Sequence, residues 1–389
     1  MTNKSKVGRS GSTNALIELT KAIFESESEI PLHRPVFNGS EVANLTQCIE
    51  SNFVSSVGEK VVEFEQAVRN YVGSAHGIAV VNGTNALQVA LKVVGVEANT
   101  EVITQALTFV ATCNAVSYLN AVPVFVDVDR DTMGMSPRSL EAFLKLNAYT
   151  NSEGCFNRNS GRRIAACQPM HTFGHPCRID EIAEICSRWN LPLIEDAAES
   201  LGSYYKGRST GTFGRLGVFS FNGNKIITTG GGGILVTDDG AIAIRAKHLT
   251  TTAKVPHSYE FVHDELGYNF RMPNLNAALG CAQMDQLPEF LIAKRAVAER
   301  YGAFCLAHGV EWVREPEDAR SNYWLNAIIL QSKQKRDRFL HETNAAGVMT
   351  RPIWRLMVDL PMYAGCQHDG LVISRWLEER VVCLPSSVP

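Results

Sequence analysis

Long apolar runs are missing from this 389-residue chain. The longest, such as Val122 to Val126 and Ile78 to Val81, fall far short of the roughly 20 residues a membrane-spanning helix needs. Met1 to Glu29 is polar at first and then carries a short amphipathic stretch, Ala15 to Phe24, without the basic-then-apolar order of a secretory signal. Excess positive charge is missing too. Lys+Arg 37 against Asp+Glu 40 leave a net charge of −3, so no global field gathers nucleic acid or an anionic membrane, and any phosphate site must be local. Neither nucleic acid nor membrane is expected as a partner. The ten cysteines are scattered singly with no C-x-x-C pair, and His171, His175 and Cys177 have no second ligand pair at zinc spacing, so no metal site is expected. Cys113, Cys167, Cys186 and Cys281 lie in apolar periodic segments, where cysteine behaves as a small buried hydrophobe. Reduced thiols in a cytoplasm are the simplest reading. No Walker A, G-x-G-x-x-G loop, internal repeat or low-complexity tract occurs.

What is present is the balance of an ordinary globular protein, 45 % hydrophobic and 20 % charged, long enough for two or three domains or for one large domain with an appendage. From about residue 78, short apolar runs alternate with helix-period segments, the pattern of a mostly parallel sheet with crossover helices. Strands are expected at Ile78 to Val81, Glu101 to Thr104, Val122 to Val128, Ile164 to Met170, Leu191 to Glu195, Gly217 to Phe221 and Ile234 to Thr237. Helices are expected at Asn85 to Val94, Phe109 to Leu119 and Ile179 to Trp189, with the polar gap Asn147 to Arg162 as a surface insertion. Pro273 to Leu287 and Pro288 to His308 read as two long helices, followed by strand-like Asn326 to Leu330 and Gly347 to Ile353. The change near residue 270 suggests a second, smaller α+β domain.

Three motifs carry chemistry. Asn82-Gly83-Thr84-Asn85, between a strand and a helix, places free amides at a helix N-terminus, where an anion is favoured, although a plain N-cap fits the same letters. Leu191 to Ile194 runs into Glu195-Asp196-Ala197-Ala198-Glu199, putting three carboxylates at the carboxyl end of a strand, where ligand crevices of open α/β sheets lie. An acid there can hold a cationic ring nitrogen or merely cap the next helix, and His171 would reach the same edge. Ser220 to Gly233 ends a strand with a hydroxyl, presents Lys225 and continues into four glycines. A lysine that attacks carbonyls needs a partly desolvated, cation-lined pocket, whereas a solvated lysine on a loop is the plain alternative. Together, a phosphate cradle, a carboxylate for a pyridinium nitrogen and a Schiff-base lysine meet the requirements for pyridoxal phosphate (PLP).

With these motifs in place, the chain resembles the DegT/DnrJ/EryC1/StrS sugar aminotransferases, fold-type I PLP enzymes, from about Pro31 to Ser387. The resemblance is carried by Ser55-Ser56-Val57-Gly58, Asn82 to Leu87, Thr108 to Thr112, Pro123 to Asp129, Ile194 to Ala198, Ser220-Phe221 with Lys225, and Gly267 to Met272. It implies a large, mixed but mostly parallel PLP-binding α/β domain at 31–270, a smaller C-terminal α+β domain at 271–389 and an N-terminal arm at 1–30. It further implies that Lys225 holds the cofactor covalently and shuttles the proton, that Asp196 pairs with the pyridine nitrogen, and that Gly83, Thr84, Asn85 and Ser220 hold the phosphate. Phe109 would stack on the ring, Glu199 would stand where the family usually has Gln, and Asn269 would reach the phosphate of the neighbouring subunit of a homodimer. Gln105 replaces a usual Pro, and Asn82-Gly83-Thr84 a usual Ser-Gly-Thr. The stretch His171 to Gly233 is most similar to the subgroup acting in legionaminic acid and bacillosamine-type pathways. The expected reaction moves an amino group from L-glutamate to C4 of a nucleotide-linked keto sugar, a UDP-linked 4-keto-6-deoxy-N-acetylhexosamine. Alternatives are amination at C3, a PLP dehydratase, against which Lys225 argues because that branch carries His there, and a non-catalytic PLP-binding regulator. Expected substrate contacts are His171, Arg271, Tyr323, Arg351 and Trp354, with Arg34 a further candidate cation for the diphosphate.

Overall fold

The computed structural model describes residues 11–26 and 28–389; of the expected arm at 1–30, residues 1–10 and 27 lie outside the described residues. The strands of the large sheet are apolar at consecutive positions, so both faces must be covered. Ile78 and Val80 face one layer and Ala79 the other; Val218 and Phe219 divide in the same way, as do Leu235 and its neighbours Ile234 and Val236. One layer is built from the helices Gly83–Val93, Val110–Ser117 and Gly240–Thr250. The opposite layer holds Pro137–Asn147, Ile179–Arg188, Glu59–Val72 and the first half of Asn274–His308.

The strand order is Val122–Val126, Glu101–Gln105, Arg163–Gln168, Ile194–Asp196, Leu216–Ser220, Gly233–Thr237, His76–Val80. All neighbours are parallel except at Gly233–Thr237, which runs antiparallel to both of its partners. The two registered halves join where the Cys167 amide donates to the Pro192 carbonyl and the Asp196 amide to the Pro169 carbonyl, both at 2.9 Å. The carboxyl ends of Arg163–Gln168, Ile194–Asp196 and Leu216–Ser220 therefore open side by side.

Three expectations need refinement or correction. The gap at 147–162, expected as a surface insertion, lies at the surface but carries strands. Its strands Ala148–Asn151 and Gly154–Asn157 form a hairpin that pairs onto Arg163–Gln168 and extends the sheet. The two helices divided at Pro288 are one, Asn274–His308, with the proline inside it. A helix-interior proline costs about 3 kcal/mol, and burial on both sides offsets it: Leu287 and Phe290 pack under the large sheet, while Val297, Tyr301 and Cys305 pack under a second one. That second sheet is antiparallel and four-stranded, in the order Glu311–Trp312, Asn326–Ile329, Val381–Leu384, Arg351–Pro352. Only Arg351–Pro352 of the expected strand at 347–353 belongs to it. The N-terminal helix Gly11–Phe24 covers this sheet, burying Leu16 and Ile23 against Tyr301, Ile328 and Val382.

Candidate active site

In Ile194–Asp196 successive side chains point to opposite faces, which separates the two acids. Glu195 turns away and is held by His171 Nε2 at 3.0 Å and by the amides of Gly211 and Gly214 at 2.8 and 2.7 Å. Asp196 turns toward Val110–Ser117, accepting the Thr112 hydroxyl at 2.7 Å and the Ala198 amide at 3.2 Å. Thr108 lies one turn before Thr112, 2.7 Å between hydroxyls, and extends the chain. Asp196 is buried and, among the described residues, has no cation in hydrogen-bond reach. Burial pushes its carboxyl above the usual range, against the pull of the Thr112 and Ala198 hydrogen bonds.

Lys225 stands on the loop after Leu216–Ser220, whose neck is closed where the Phe221 amide meets the Gly232 carbonyl and the Thr229 amide meets the Phe221 carbonyl. Its ammonium lies 3.2 Å from Glu199 Oε1 and 4.1 Å from the centre of the Trp324 ring. Glu199 Oε2 accepts the Phe173 amide at 3.0 Å. Burial raises the Glu199 carboxyl to about 7, although the Lys225 charge and the Phe173 amide both act to lower it. Trp324 is fixed in turn, its indole N–H donating to the Asn224 carbonyl at 2.7 Å.

The anion cradle forms beside this loop. Asn82 caps Gly83–Val93 by accepting the Asn85 amide at 2.8 Å, leaving Gly83 and Thr84 as first-turn amides without an intrahelical acceptor. A Cβ on Gly83 would lie 2.8 Å from Ser220 Cβ, so only glycine lets the helix start come this close to the strand end. Asn85 belongs to the cap through its amide. Phe109, the N-cap residue of Val110–Ser117, is 48 % exposed, an aromatic face left open at the mouth.

A cleft of about 520 Å³ adjoins Lys225, lined by Phe173, Asn224, Trp324, Trp354, His33 and the arginines 336, 351 and 355, among others. Of the expected substrate contacts, Arg351 and Trp354 line this cleft. Tyr323 and His171 do not. Tyr323 is buried between Trp312, which it stacks on at 5.8 Å, and His175, and its hydroxyl accepts the Glu315 amide, so its neighbour Trp324 is the aromatic at the site. His171 is fully buried, its Nδ1 accepting the Cys177 amide at 3.2 Å and its Nε2 facing Glu195. It orients Glu195 and has no ring nitrogen left for a substrate. Arg271 and Asn269 lie at the edge of His76–Val80, where Arg271 bridges Val80 and its guanidinium donates to Asn269 at 3.2 Å. Arg34 is exposed and donates its amide to Ser387; His33 lines the cleft instead. Among the described residues one cluster, His248, Asp264 and Glu265, has metal-type side chains close together, and Arg245 already pairs with Glu265.

The model of the DegT/DnrJ/EryC1/StrS aminotransferase family matches residues 36–389. The chain belongs to this family. GDP-perosamine synthase of Escherichia coli O157:H7 is 35 % identical over 92 % of this chain and 93 % of its own. Among solved structures, the aminotransferase TlmJ from Streptoalloteichus hindustanus is 26 % identical with a TM-score of 0.83, over 92 % of this chain and 93 % of that one. DesI, solved with its TDP-sugar product, is 27 % identical with a TM-score of 0.80, over 94 % and 91 %. The protein is a PLP-dependent aminotransferase, and its residues fit that cofactor. A buried carboxylate without a cation, a cradle that a Cβ would fill, an open aromatic face and one lysine converge at one set of strand ends. PLP supplies the electron sink for amino transfer.

Sequence reasoning missed Thr112, Phe173, Trp324 and His33. Thr112 lies in the first turn of the helix that opens just after Thr108, and the two hydroxyls meet at 2.7 Å. The others reach the site from distant parts of the chain. Gln105 proves structural: fully buried, it accepts the Met135 and Met170 amides and donates to the Leu107 and Met133 carbonyls.

Proposed function

We propose that this aminotransferase acts on a nucleotide-linked keto sugar, moving an amino group from L-glutamate to C4 of a UDP-linked 4-keto-6-deoxy-N-acetylhexosamine. The cleft beside Lys225 carries the nucleotide-sugar reading. Three arginines edge it in a protein of net charge −3, which suits a diphosphate, and Trp354 and Trp324 offer faces to a sugar or base. The 4-keto position and UDP rest on the resemblance of His171 to Gly233. A GDP-linked sugar is the second reading, favoured by the relatives named GDP-perosamine synthase.

In this reading Lys225 would hold the cofactor covalently and carry the proton to and from the reacting carbon. Asp196 would pair with the ring nitrogen, and Glu199 would stand on the side of the phenolic oxygen. Gly83, Thr84 and Ser220 would hold the phosphate, Phe109 would cover the ring, and Asn269 would reach across to a second copy in a homodimer. Ten free thiols, eight of them buried, suit the cytoplasm.

The test pairs two measurements. Borohydride reduction of purified protein followed by peptide mapping should place the cofactor on Lys225; label on another lysine refutes that role. Mass spectrometry after incubation with L-glutamate and UDP-, GDP- or dTDP-linked 4-keto and 3-keto sugars, or pyruvate, should find the amine on the UDP 4-keto sugar. Faster amination of pyruvate than of any sugar overturns the sugar reading, whereas preference for another nucleotide or for the 3-keto position overturns only that detail.

A further inference from the structure

Beneath the cleft sits a lysine that amino transfer leaves unused. Lys294, on the helix Asn274–His308, is 1 % exposed. Its ammonium has three acceptors for three hydrogens: His33 Nε2 at 3.0 Å, the Trp324 carbonyl at 3.2 Å and the Ser386 carbonyl. None is a carboxylate, and burial lowers Lys294 to about 7. His33 is held well below its usual value by burial and by the charges of Lys294 and Lys225, so the ring is neutral. A neutral imidazole that accepts at Nε2 carries its hydrogen on Nδ1. That Nδ1 is buried and has no acceptor among the described residues, while the residue lines the cleft beside Trp324.

A fixed donor without an acceptor at the wall of a binding cleft is suited to a ligand oxygen. We propose that His33 is a substrate-positioning residue whose Nδ1–H, oriented by Lys294, donates to an oxygen of the carbonyl substrate bound beside Lys225. That substrate is a keto sugar on the reading above, on which this inference rests. Lys294 is the strut. It sets the ring's tautomer and, through the Trp324 carbonyl, ties the same device to the aromatic under Lys225.

The experiment compares the parent holoenzyme with His33→Phe, which keeps a ring but no donor, and His33→Asn, whose amide N–H falls near the place of Nδ1. The carbonyl substrate that the parent uses fastest serves throughout, so an error in the sugar reading shows in the parent and an error in the His33 assignment shows in the variants. His33→Phe should raise KM for that substrate about tenfold with kcat within about threefold, and His33→Asn should bring KM back to within about threefold of the parent. Nitrogen-15 spectra of the histidine rings at pH 6, where Lys294 carries its charge, should show for the signal lost in His33→Phe a hydrogen on Nδ1. A KM within twofold of the parent in His33→Phe, no recovery in His33→Asn, or a hydrogen on Nε2 overturns the proposal.

Discussion

Two residues separate Asp196 from Glu199, and their buried carboxyls are held in opposite ways: Asp196 by two neutral donors, Glu199 by the Lys225 ammonium and the Phe173 amide. Burial raises Glu199 to about 7, above its ordinary value of 4.5. A raised carboxyl stabilises the fold fully below the unfolded value, and that contribution is lost as pH climbs through the folded one. In the cofactor-free protein, Glu199→Gln should therefore gain on the parent by about 1–3 kcal/mol between pH 5 and pH 8, since each tenfold difference in proton affinity between folded and unfolded chain is worth roughly 1.4 kcal/mol. Thermal melts across that range check it, and a constant gap would show that Glu199 does not titrate there. For Asp196, an ionised acid against a ring nitrogen stabilises the protonated ring, so Asp196→Ala should lose about 10²-fold or more in kcat with its circular dichroism unchanged. Near-parent turnover would remove the role from Asp196. Both acids and Lys225 were legible because each lies at or within five residues of a strand end inside its motif. Of the adjacent aromatics Tyr323 and Trp324, only Trp324 lines the cleft, which sequence alone does not tell, and the backbone at Tyr323 is left-handed with φ 48°.

The strand–helix turn at Asn82 to Thr84 works as an element because the neighbouring strand end comes so close. A methyl on Gly83 would meet Ser220 Cβ at 2.8 Å, so Gly83→Ala must push the helix start from the strand. Overpacking of that kind costs about 1–3 kcal/mol. The variant should melt lower and bind PLP at least tenfold more weakly in a spectroscopic titration. Adding Ser220→Gly should restore the melting temperature without restoring the affinity, since the hydroxyl goes with the clash; recovery of both would show that Ser220 contributes space alone. Elements of this sheet were readable within a few residues because strands buried on both faces leave continuous apolar runs. The hairpin at 148–157 was not, since its strands are mostly polar and gain their partner only from Arg163–Gln168. Pro288 misled for a related reason. Its local preference breaks helices, whereas the cluster that buries Leu287 and Phe290 draws on the distant helix Glu59–Val72.

At the scale of the molecule, one face sets exposed apolar side chains around a groove. Phe37, Val42, Phe53, Val57 and Val62 are each more than half exposed, on or beside the helices Glu41–Glu50 and Glu59–Val72, and Phe53, Val57 and Val62 border a groove of about 570 Å³. Scattered apolar side chains are ordinary on a protein surface, but a contiguous set bordering a groove suits a protein partner. On the homodimer reading that partner is a second copy, and the half-open face of Phe109 and the exposed Asn269 are completed by it. Sedimentation equilibrium at micromolar concentration should give twice the chain mass of 42.7 kDa. The double variant Phe53→Asp, Val57→Asp places two charges in the groove, where burying an unpaired carboxylate is prohibitive, so it should sediment as a monomer with unchanged far-ultraviolet circular dichroism. On the same reading the site is shared between the copies, so the monomer should also lose at least tenfold in turnover and release PLP more readily. A variant that stays dimeric places the interface on another face, and a monomer with full activity shows that each chain carries a complete site.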